Sequence, residues 1–319
     1  MLIRPRTGRL LRTRAARFQS ALRTSEPGAP GNSSILGDTW EWDGIAWTQR
    51  ATDGPSPRFG HAMAYDSARG VTVLFGGQDR TSREGDTWEW DGSAWTPRTP
   101  DGPAARSQHA MTYDSARGVT VLFGGYDGES SQGDTWEWDG SAWNPRGFAG
   151  PEPRLSHAVA YDSARRVTVL VGGGISTGAG ETWEWDGGSW IQRRATSGPA
   201  GRDPHAVVYD AARGVSVISG VLKYPGTWEW DGTSWMLRTS GGPIFFKKHA
   251  LAYDSARQVT VLFGGFWDAH YTMEWDGVAW TRRDVAGPSG RYSHAMAYDT
   301  ARGTTVLFGG RAYGGRLGD

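Results

Sequence analysis

One short pattern, Thr-Trp-Glu-Trp-Asp-Gly or a close variant, occurs six times in this chain of 319 residues. Its second position recurs at intervals of 48, 48, 47, 45 and 45 residues, at Trp40, Trp88, Trp136, Trp183, Trp228 and Met273. A His-Ala pair, a Tyr-Asp pair and a Gly-Gly or Ser-Gly pair keep the same register. A chain with this self-similarity folds as an array of like units and not as unrelated domains.

Each unit contains four strand signals. In the unit that begins at Arg58 they are residues 61–65, 71–75, 86–90 and 94–97. A turn sequence with Asp and Gly follows the first strand, and Asp-Gly joins the third to the fourth. Four short strands at this period predict a β-propeller blade. Stacking of blades would bury tryptophans that one blade cannot cover, which stabilises by about 2–3 kcal/mol for a large aromatic side chain.

The order of the strands also predicts how the ring closes. Five complete units run from His61 to Trp280. Residues 294–310 then supply two inner strands and residues 38–50 two outer strands, which together make a sixth blade. We therefore expect an all-β, six-bladed propeller of four-stranded antiparallel blades, closed by pairing of the two chain ends. The alternative is that the chain is a piece of a longer repeat array, cut by chance so that its two ends fall at the same point of the repeat.

The charge distribution separates a leader from the repeats. Residues 1–34 hold seven arginines and one acid, whereas the whole chain has a net charge of zero. We expect residues 1–34 to be a basic, disordered leader and linker and residues 35–319 to be the propeller. A targeting segment or an arm for an anionic partner are the alternatives for the leader. The sequence has neither the apolar core of a Sec signal nor a run long enough to cross a membrane. It leaves the compartment unknown: cytoplasmic by default, exported if the natural amino terminus differs.

Composition narrows the chemistry. The chain has no cysteine, which removes disulfides, thiolate metal sites and cysteine nucleophiles. A net charge of zero gives no general basic field, so we expect no nucleic-acid partner for the propeller. We expect no cofactor, no metal and a monomer.

The repeat itself resembles a known family. A Gly-Gly pair after an apolar strand, an aromatic pair and a Trp on the last strand resemble the kelch repeat. The Trp-Glu-Trp-Asp-Gly and His-Ala-Met-Ala-Tyr-Asp-Ser-Ala-Arg-Gly sequences are similar to those of bacterial kelch-type proteins. The resemblance covers residues 36–319 and implies a fold related to the central domain of galactose oxidase. Kelch propellers include protein-binding platforms, glycan-related proteins and some enzymes, so the resemblance implies a protein or glycan partner. Copper radical oxidases similar to galactose oxidase need a Tyr–Cys crosslink, which a chain without cysteine cannot form.

The copies differ in the connections between second and third strands. Because a ligand site on a ring is usually asymmetric, we expect any ligand surface on this side of the propeller. Aromatic and acidic side chains there suit stacking on a sugar or holding a peptide. The alternative is that the variation is drift. The candidate ligand-binding residues are Tyr126, Asp127, Tyr224, Trp267, Asp268, His270 and Tyr313.

An arginine three residues before the repeat histidine recurs in five units, and Phe246 replaces it in the sixth. These positions lead into the first strand, which lines the channel of a propeller. A partial ring of guanidinium groups could hold a carboxylate or phosphate, or each could pair with an acid or carbonyl of its own blade. The channel-mouth candidates are Arg58, Arg106, Arg154, Arg202 and Arg291.

The remaining polar residues that repeat in each unit are expected to have a structural role. One histidine per blade has no metal-ligand spacing, so a hydrogen bond at the start of the strand is expected. The repeat glutamates and turn arginines are expected to be solvated or ion-paired. No acid/base constellation, Ser-His-Asp motif or phosphate loop stands out. The sequence favours a non-enzymatic binding module, with a carbohydrate-active enzyme similar to sialic-acid isomerases as the alternative.

Overall fold

A computed structural model describes residues 33–147, 149–173, 181–194, 198–199, 206–221, 224–243, 248–265 and 270–312. The predicted leader, residues 1–32, lies outside these ranges. Within them the chain forms 25 strands and no helix, and so no helix that could cross a membrane.

The strands form six sheets, which are the six blades. The chain enters with β1 (Ile35–Trp42) and β2 (Trp47–Ala51). Blade 1 is β3 (Ala62–Asp66), β4 (Val71–Phe75), β5 (Thr87–Trp90) and β6 (Trp95–Arg98). Blade 2 is β7 (Ala110–Asp114), β8 (Val119–Tyr126), β9 (Ser131–Trp138) and β10 (Trp143–Gly147). Blade 3 is β11 (Ala158–Asp162), β12 (Val167–Val171), β13 (Thr182–Trp185) and β14 (Trp190–Arg193). Blade 4 is β15 (Val207–Asp210), β16 (Val215–Val221), β17 (Tyr224–Trp230) and β18 (Trp235–Thr239). Blade 5 is β19 (Ala250–Asp254), β20 (Val259–Phe263), β21 (Thr272–Trp275) and β22 (Trp280–Arg283). Blade 6 contains β23 (Arg291–Tyr292), β24 (Ala295–Asp299) and β25 (Thr304–Ala312), and β1 and β2 complete it.

Blade 1 shows how closely the repeat pattern determines the strands. The second strand has the predicted bounds, and the other three agree within about one residue at either end. All neighbours are antiparallel, in the order β3-β4-β5-β6. Pro97 lies on the outer edge strand, where it removes no ladder hydrogen bond to a further strand.

The predicted closure is confirmed. Strand β1 pairs with β25 from Ile35 opposite Arg311 to Trp42 opposite Thr305. Strand β24 pairs with the other side of β25, and β2 pairs with β1. The two ends of the described chain therefore share one sheet, which leaves no incomplete blade in the ring.

Apolar side chains fill the space between neighbouring blades. Trp90 and Trp95 of blade 1 pack with Phe308 of blade 6, and the ring centroids of Trp95 and Phe308 lie 5.3 Å apart. Apolar clusters that each contain buried tryptophan occupy the other five junctions. The core is thus divided among the junctions, and each blade contributes one face to each of two clusters.

A polar network crosses each junction beside the apolar cluster. Glu89 is 2% exposed and pairs with Arg69 and Arg98 of its own blade. Its Oε1 also accepts a hydrogen bond from Trp138 Nε1 of blade 2 at 3.2 Å. Trp143 of blade 2 donates to Thr87 Oγ1 of blade 1 at 2.9 Å. The repeat glutamates are therefore ion-paired and buried, and they join blades to one another as well as stabilising their own.

The first strands of all six blades line a central channel. One cavity of 280 Å³ is bounded by Met63, Ala64, Tyr65 and their counterparts. Burial, together with the nearby carboxylate of Asp66 in blade 1, raises the pKa of Tyr113 to about 12. The tyrosines at this end of the channel are therefore neutral at physiological pH.

Candidate functional site

The two faces of the propeller differ in regularity. First-to-second turns and third-to-fourth hairpins lie on one face, which we call the turn face. There a Cβ at Gly92 of blade 1 would lie 2.7 Å from the guanidinium of Arg302 in blade 6, so turn and hairpin of neighbouring blades interlock. The second-to-third and fourth-to-first connections lie on the other face, which we call the loop face. The sequence of the turn face is nearly the same in every copy, whereas the loop face varies.

A closed arrangement of residues frames the channel on the loop face. The residue before each described repeat histidine has positive φ, from 56° to 68°. The backbone N–H of Gly60 donates to the carbonyl of Ser293 at 2.8 Å, and that of Gln108 donates to Gly60 at 2.7 Å. These bonds run from blade to blade around the axis. They frame a mouth pocket of 110 Å³ that is lined by Gly60, His61, Gln108, His109, Ser156, His157, Lys248, His249, Ser293 and His294.

His109 and His157 serve as neutral hydrogen-bond donors in this frame. Nε2 of His109 lies 3.1 Å from the carbonyl oxygen of Phe75 in blade 1, and Nε2 of His157 makes the same bond to Phe123. Since a carbonyl only accepts, Nε2 carries the hydrogen. Burial, together with the charge of the nearby Arg154, lowers the pKa of His157 to about 3. The described residues contain no group of three or more His, Asp or Glu placed to hold a metal ion.

The channel-mouth arginines are buried and ion-paired within their own blades. Arg58 is 1% exposed and grips both carboxylate oxygens of Asp86, at 2.5 and 2.9 Å. It also donates to the carbonyl oxygen of Gly76 at 3.0 Å. Each described arginine of this set thus forms an ion pair with a carboxylate of its own blade, which is the alternative to a ring that binds a ligand. The pairs are Arg58–Asp86, Arg106–Asp134, Arg154–Glu181 and Arg291–Asp38, and Arg202 lies outside the described residues.

These pairs change the acidity of the carboxylates. Burial alone would raise the pKa of Asp38, but the hydrogen bonds and charge of Arg291 outweigh it and lower the pKa below its usual value. The same balance lowers the pKa of Asp86 and Asp134. The carboxylates are therefore held ionised beside their arginines, and the guanidinium forks face them.

The predicted loop residues fall on different blades. Tyr126 and Asp127 share a loop of blade 2, whereas His270 is exposed on blade 5, which lies across the ring. The hydroxyl of Tyr126 donates to the carbonyl oxygen of Gly128 at 2.9 Å. Tyr224 lies in β17 with its side chain outside the described part of the chain, and Trp267, Asp268 and Tyr313 also fall outside it.

Asp127 has a role within its own loop. Its Oδ1 accepts hydrogen bonds from the backbone N–H of Ser130 at 2.8 Å and of Glu129 at 2.7 Å. These bonds lower the pKa of Asp127 below its usual value. The carboxylate stays ionised while it holds the turn that presents Tyr126.

Sequence reasoning missed a set of cations that lie against aromatic rings on the loop face. The guanidinium carbon of Arg83 lies 4.8 Å from the ring centroid of Tyr126. That of Arg311 lies 4.9 Å from Phe59 and 5.8 Å from Tyr292, and Lys248 Nζ lies 5.9 Å from Tyr292. The signal was present in the sequence, because each cation stands where the other copies carry a different residue type.

A scan of models of known protein families finds no match to this chain, and a search of curated proteins finds no relative. The fold therefore defines the class: an all-β, six-bladed propeller whose first and last described strands share a blade.

Proposed function

We propose that this chain is a kelch-type propeller that acts as a binding module and holds a protein or glycan partner on its loop face. The observation that carries the proposal is the placement of Arg83, Arg311 and Lys248 against aromatic rings on the face where the repeat is not kept. A propeller fold suits a binding role in general, because a rigid ring presents many loops on one surface.

The chemistry of this rim suits recognition of a polar partner. Arginine and tyrosine are enriched among the residues that dominate binding energy, since each combines apolar contact with a polar end. Arg83 stacks on Tyr126, so its guanidinium is held in place before a partner arrives and less side-chain entropy is lost on binding. Arg83 has no ion pair among the described residues, unlike the repeat arginines, so its charge is available to a partner.

An enzyme of the sialic-acid isomerase kind would need accessible arginines at the channel mouth. Arg58, Arg106, Arg154 and Arg291 are at most 3% exposed and are engaged by carboxylates. No observation favours an enzyme of this kind, and the binding module is the function that the contacts support best.

Glycan and peptide arrays probed with the purified full chain test the proposal. Arg83→Ala combined with Tyr126→Ala removes one stacked pair, and we expect the array signal to fall at least about tenfold, the scale of losing one well-placed contact. The matched control combines Arg166→Ala with Ile45→Ala, which removes an exposed arginine and an exposed apolar side chain from the turn face. Both variants should keep the parent Tm. A loop-face variant that binds as well as the parent, or a parent that binds nothing on either array, contradicts the proposal.

A further inference from the structure

We propose that the loop face contains an oxyanion-binding site at the junction of blades 6 and 1, centred on Arg311, which receives a carboxylate or phosphate group. The inference rests on the proposed binding function of the loop face and names the chemistry of one group on the ligand. Arg311 follows the Gly-Gly pair of blade 6, and the equivalent positions of the other blades carry Gln78, Tyr126, Gly174, Val221 and Phe266.

Arg311 differs from the repeated arginines in its charge pairing. The arginines that repeat from blade to blade have carboxylate partners wherever the structure describes them, as Arg69 and Arg98 do on Glu89. Arg311 has no carboxylate partner among the described residues. Its Nη2 donates to the neutral Oγ of Ser33 at 2.7 Å, and its Nε–H is buried without an acceptor in that part of the chain. A guanidinium carries five N–H donors, so Arg311 has donors left for a charge-assisted bond to a ligand oxygen.

Two aromatic rings hold the guanidinium of Arg311 in place. Arg311 lies opposite Tyr292 in the sheet, and its guanidinium carbon is 5.8 Å from that ring and 4.9 Å from the ring of Phe59 in blade 1. Contacts to two rings from two blades restrict the rotamers of a long side chain. Less conformational entropy is then lost when an anion binds.

Positive charges from two blades converge at this junction. Arg80, from a loop of blade 1, donates to the carbonyl oxygen of the same Ser33. Two guanidinium groups from different blades therefore meet on one buried serine, and their mutual repulsion is relieved by an anion between or beside them. Lys248, which precedes the first strand of blade 5, places a third cation 5.9 Å from the ring of Tyr292.

The nearby acids do not cancel this charge. Asp38, in the same blade, is held by Arg291 at 2.7 and 2.9 Å. Asp79, next to Arg80 in the chain, accepts from the backbone N–H groups of Thr81 and Ser82 at 2.6 and 2.7 Å. Asp38 is thus paired with Arg291, and Asp79 forms no ion pair with Arg80 or Arg311 in the described chain, so these two guanidinium groups have no carboxylate partner there.

The shape of the Arg311 guanidinium decides which anionic group the site can take. The arginine fork matches the two oxygens of a carboxylate or phosphate, which a point charge does not. The site therefore suits a terminal carboxylate or phosphate, free in solution or carried on a larger partner.

Titration of the purified full chain with inorganic phosphate tests the site. The ³¹P linewidth is followed at constant ionic strength, with chloride as the balancing anion. We expect saturable broadening for the parent and at least tenfold weaker apparent affinity for Arg311→Gln. Arg166→Gln, an exposed arginine of the turn face with no ion pair in the described chain, is the matched control and should stay within twofold of the parent. Non-saturable broadening, or equal loss in both variants, overturns the proposal.

A second variant protects the test against a folding defect. Arg311→Lys keeps the charge and loses the fork, so it should weaken phosphate binding by less than Arg311→Gln while the Tm stays near that of the parent. If Arg311→Lys binds as tightly as the parent, the forked recognition is wrong. Repeating the titration with succinate shows whether the site takes carboxylates as well as phosphate.

Competition on the arrays separates the two sources of the anion and the two proposals. Displacement of an array ligand by phosphate, lost in Arg311→Gln, indicates that the partner itself carries the group. Saturable phosphate binding without displacement indicates a free small anion. If the chain binds array ligands but shows no saturable effect of phosphate or succinate, the oxyanion site is wrong and the proposed binding function stands. If it binds phosphate but no array ligand, the oxyanion site stands and the proposed partners are wrong.

Discussion

Neighbouring charges decide the role of each polar side chain in this propeller. Arg58 and Arg311 are both arginines near the mouth of the channel. Arg58 is gripped by Asp86 and by the carbonyl oxygen of Gly76, which makes it part of the scaffold. Arg311 contacts two aromatic rings and a serine, so its charge is free of carboxylates within the described chain. Residue type alone does not distinguish these roles, and the partners do.

The buried histidines make stability depend on pH. The pKa of His61 and His157 is lowered by burial to about 3, below an ordinary value of 6.5. A group whose pKa is depressed on folding takes up protons in the unfolded state first, so stability is lost as pH falls below about 6.5 and continues to fall towards about pH 3. Each such histidine contributes up to about 1.4 kcal/mol per pH unit in that window.

Thermal unfolding between pH 7 and pH 5 measures this effect. We expect Tm to fall as the pH is lowered. The dependence of Tm on pH should be shallower in His157→Gln, because this variant lacks one titrating group. Its Tm at pH 7 should also be lower, because a hydrogen bond is lost. Ile45→Gln changes an exposed side chain that does not titrate and should keep the parent slope. An unchanged slope in His157→Gln would show that this histidine does not titrate on unfolding.

At the scale of the element, the glycine pair at the end of the second strand, present in five of the six blades, sets the approach of neighbouring blades. Gly76 has φ of +66°, and its N–H donates to the carbonyl oxygen of Asp86 at 3.1 Å. A Cβ there would lie 2.7 Å from the carbonyl oxygen of Arg106 in blade 2 and 3.0 Å from the ring of His109. The glycine is needed for its conformation and for the close contact between blades.

Gly76→Ala should therefore destabilise the protein by at least about 2 kcal/mol, because the left-handed backbone and the backbone clash add together. Gly188→Ala is the matched control: its φ is not in the left-handed region, and the nearest atom to its Cβ would be Asp186 Oδ1 at 3.6 Å. We expect that variant to stay within about 0.5 kcal/mol of the parent. Chemical denaturation of both variants measures the difference, and equal stabilities would contradict the assigned role.

The strands were predictable because every blade repeats the same local signals. The turn at Asp66 to Gly70, the β-branched run that starts at Val71 and the Asp91-Gly92 hairpin each have a local cause. The cation–aromatic contacts of the loop face were not predictable in the same way. Arg311 meets Phe59 only because blades 6 and 1 become neighbours on closure, so the contact depends on residues about 250 positions apart.

At the scale of the molecule, the sixth blade joins the two ends of the described chain. Strand β1 supplies Trp42 and strand β2 begins with Trp47, and both pack against blade 5 through Phe263 and Ala252. Trp47 also donates to Thr272 Oγ1 of blade 5 at 2.8 Å. Closure thus completes two junctions, one on each side of blade 6.

Deletion of residues 35–51 should open the ring and lower Tm by more than about 10 °C, because it exposes both sides of the closing blade. Deletion of residues 1–30 is the control and should leave Tm within about 2 °C, since the described contacts of the propeller begin at Ser33. Scanning calorimetry and size-exclusion chromatography report stability and compactness. Similar Tm values for the two deletions would show that closure contributes little.

The placement of β1 beside β25 also has a mechanical consequence. The strands are antiparallel, and Ala312 N–H donates to the carbonyl oxygen of Ser34 at 2.9 Å, so both described ends leave the ring at one corner. A force that pulls these ends apart would load the ladder one hydrogen bond at a time, in the manner of a zipper, and not all at once in shear. The ring that resists heat through closure should therefore yield to a small tension applied at its own ends.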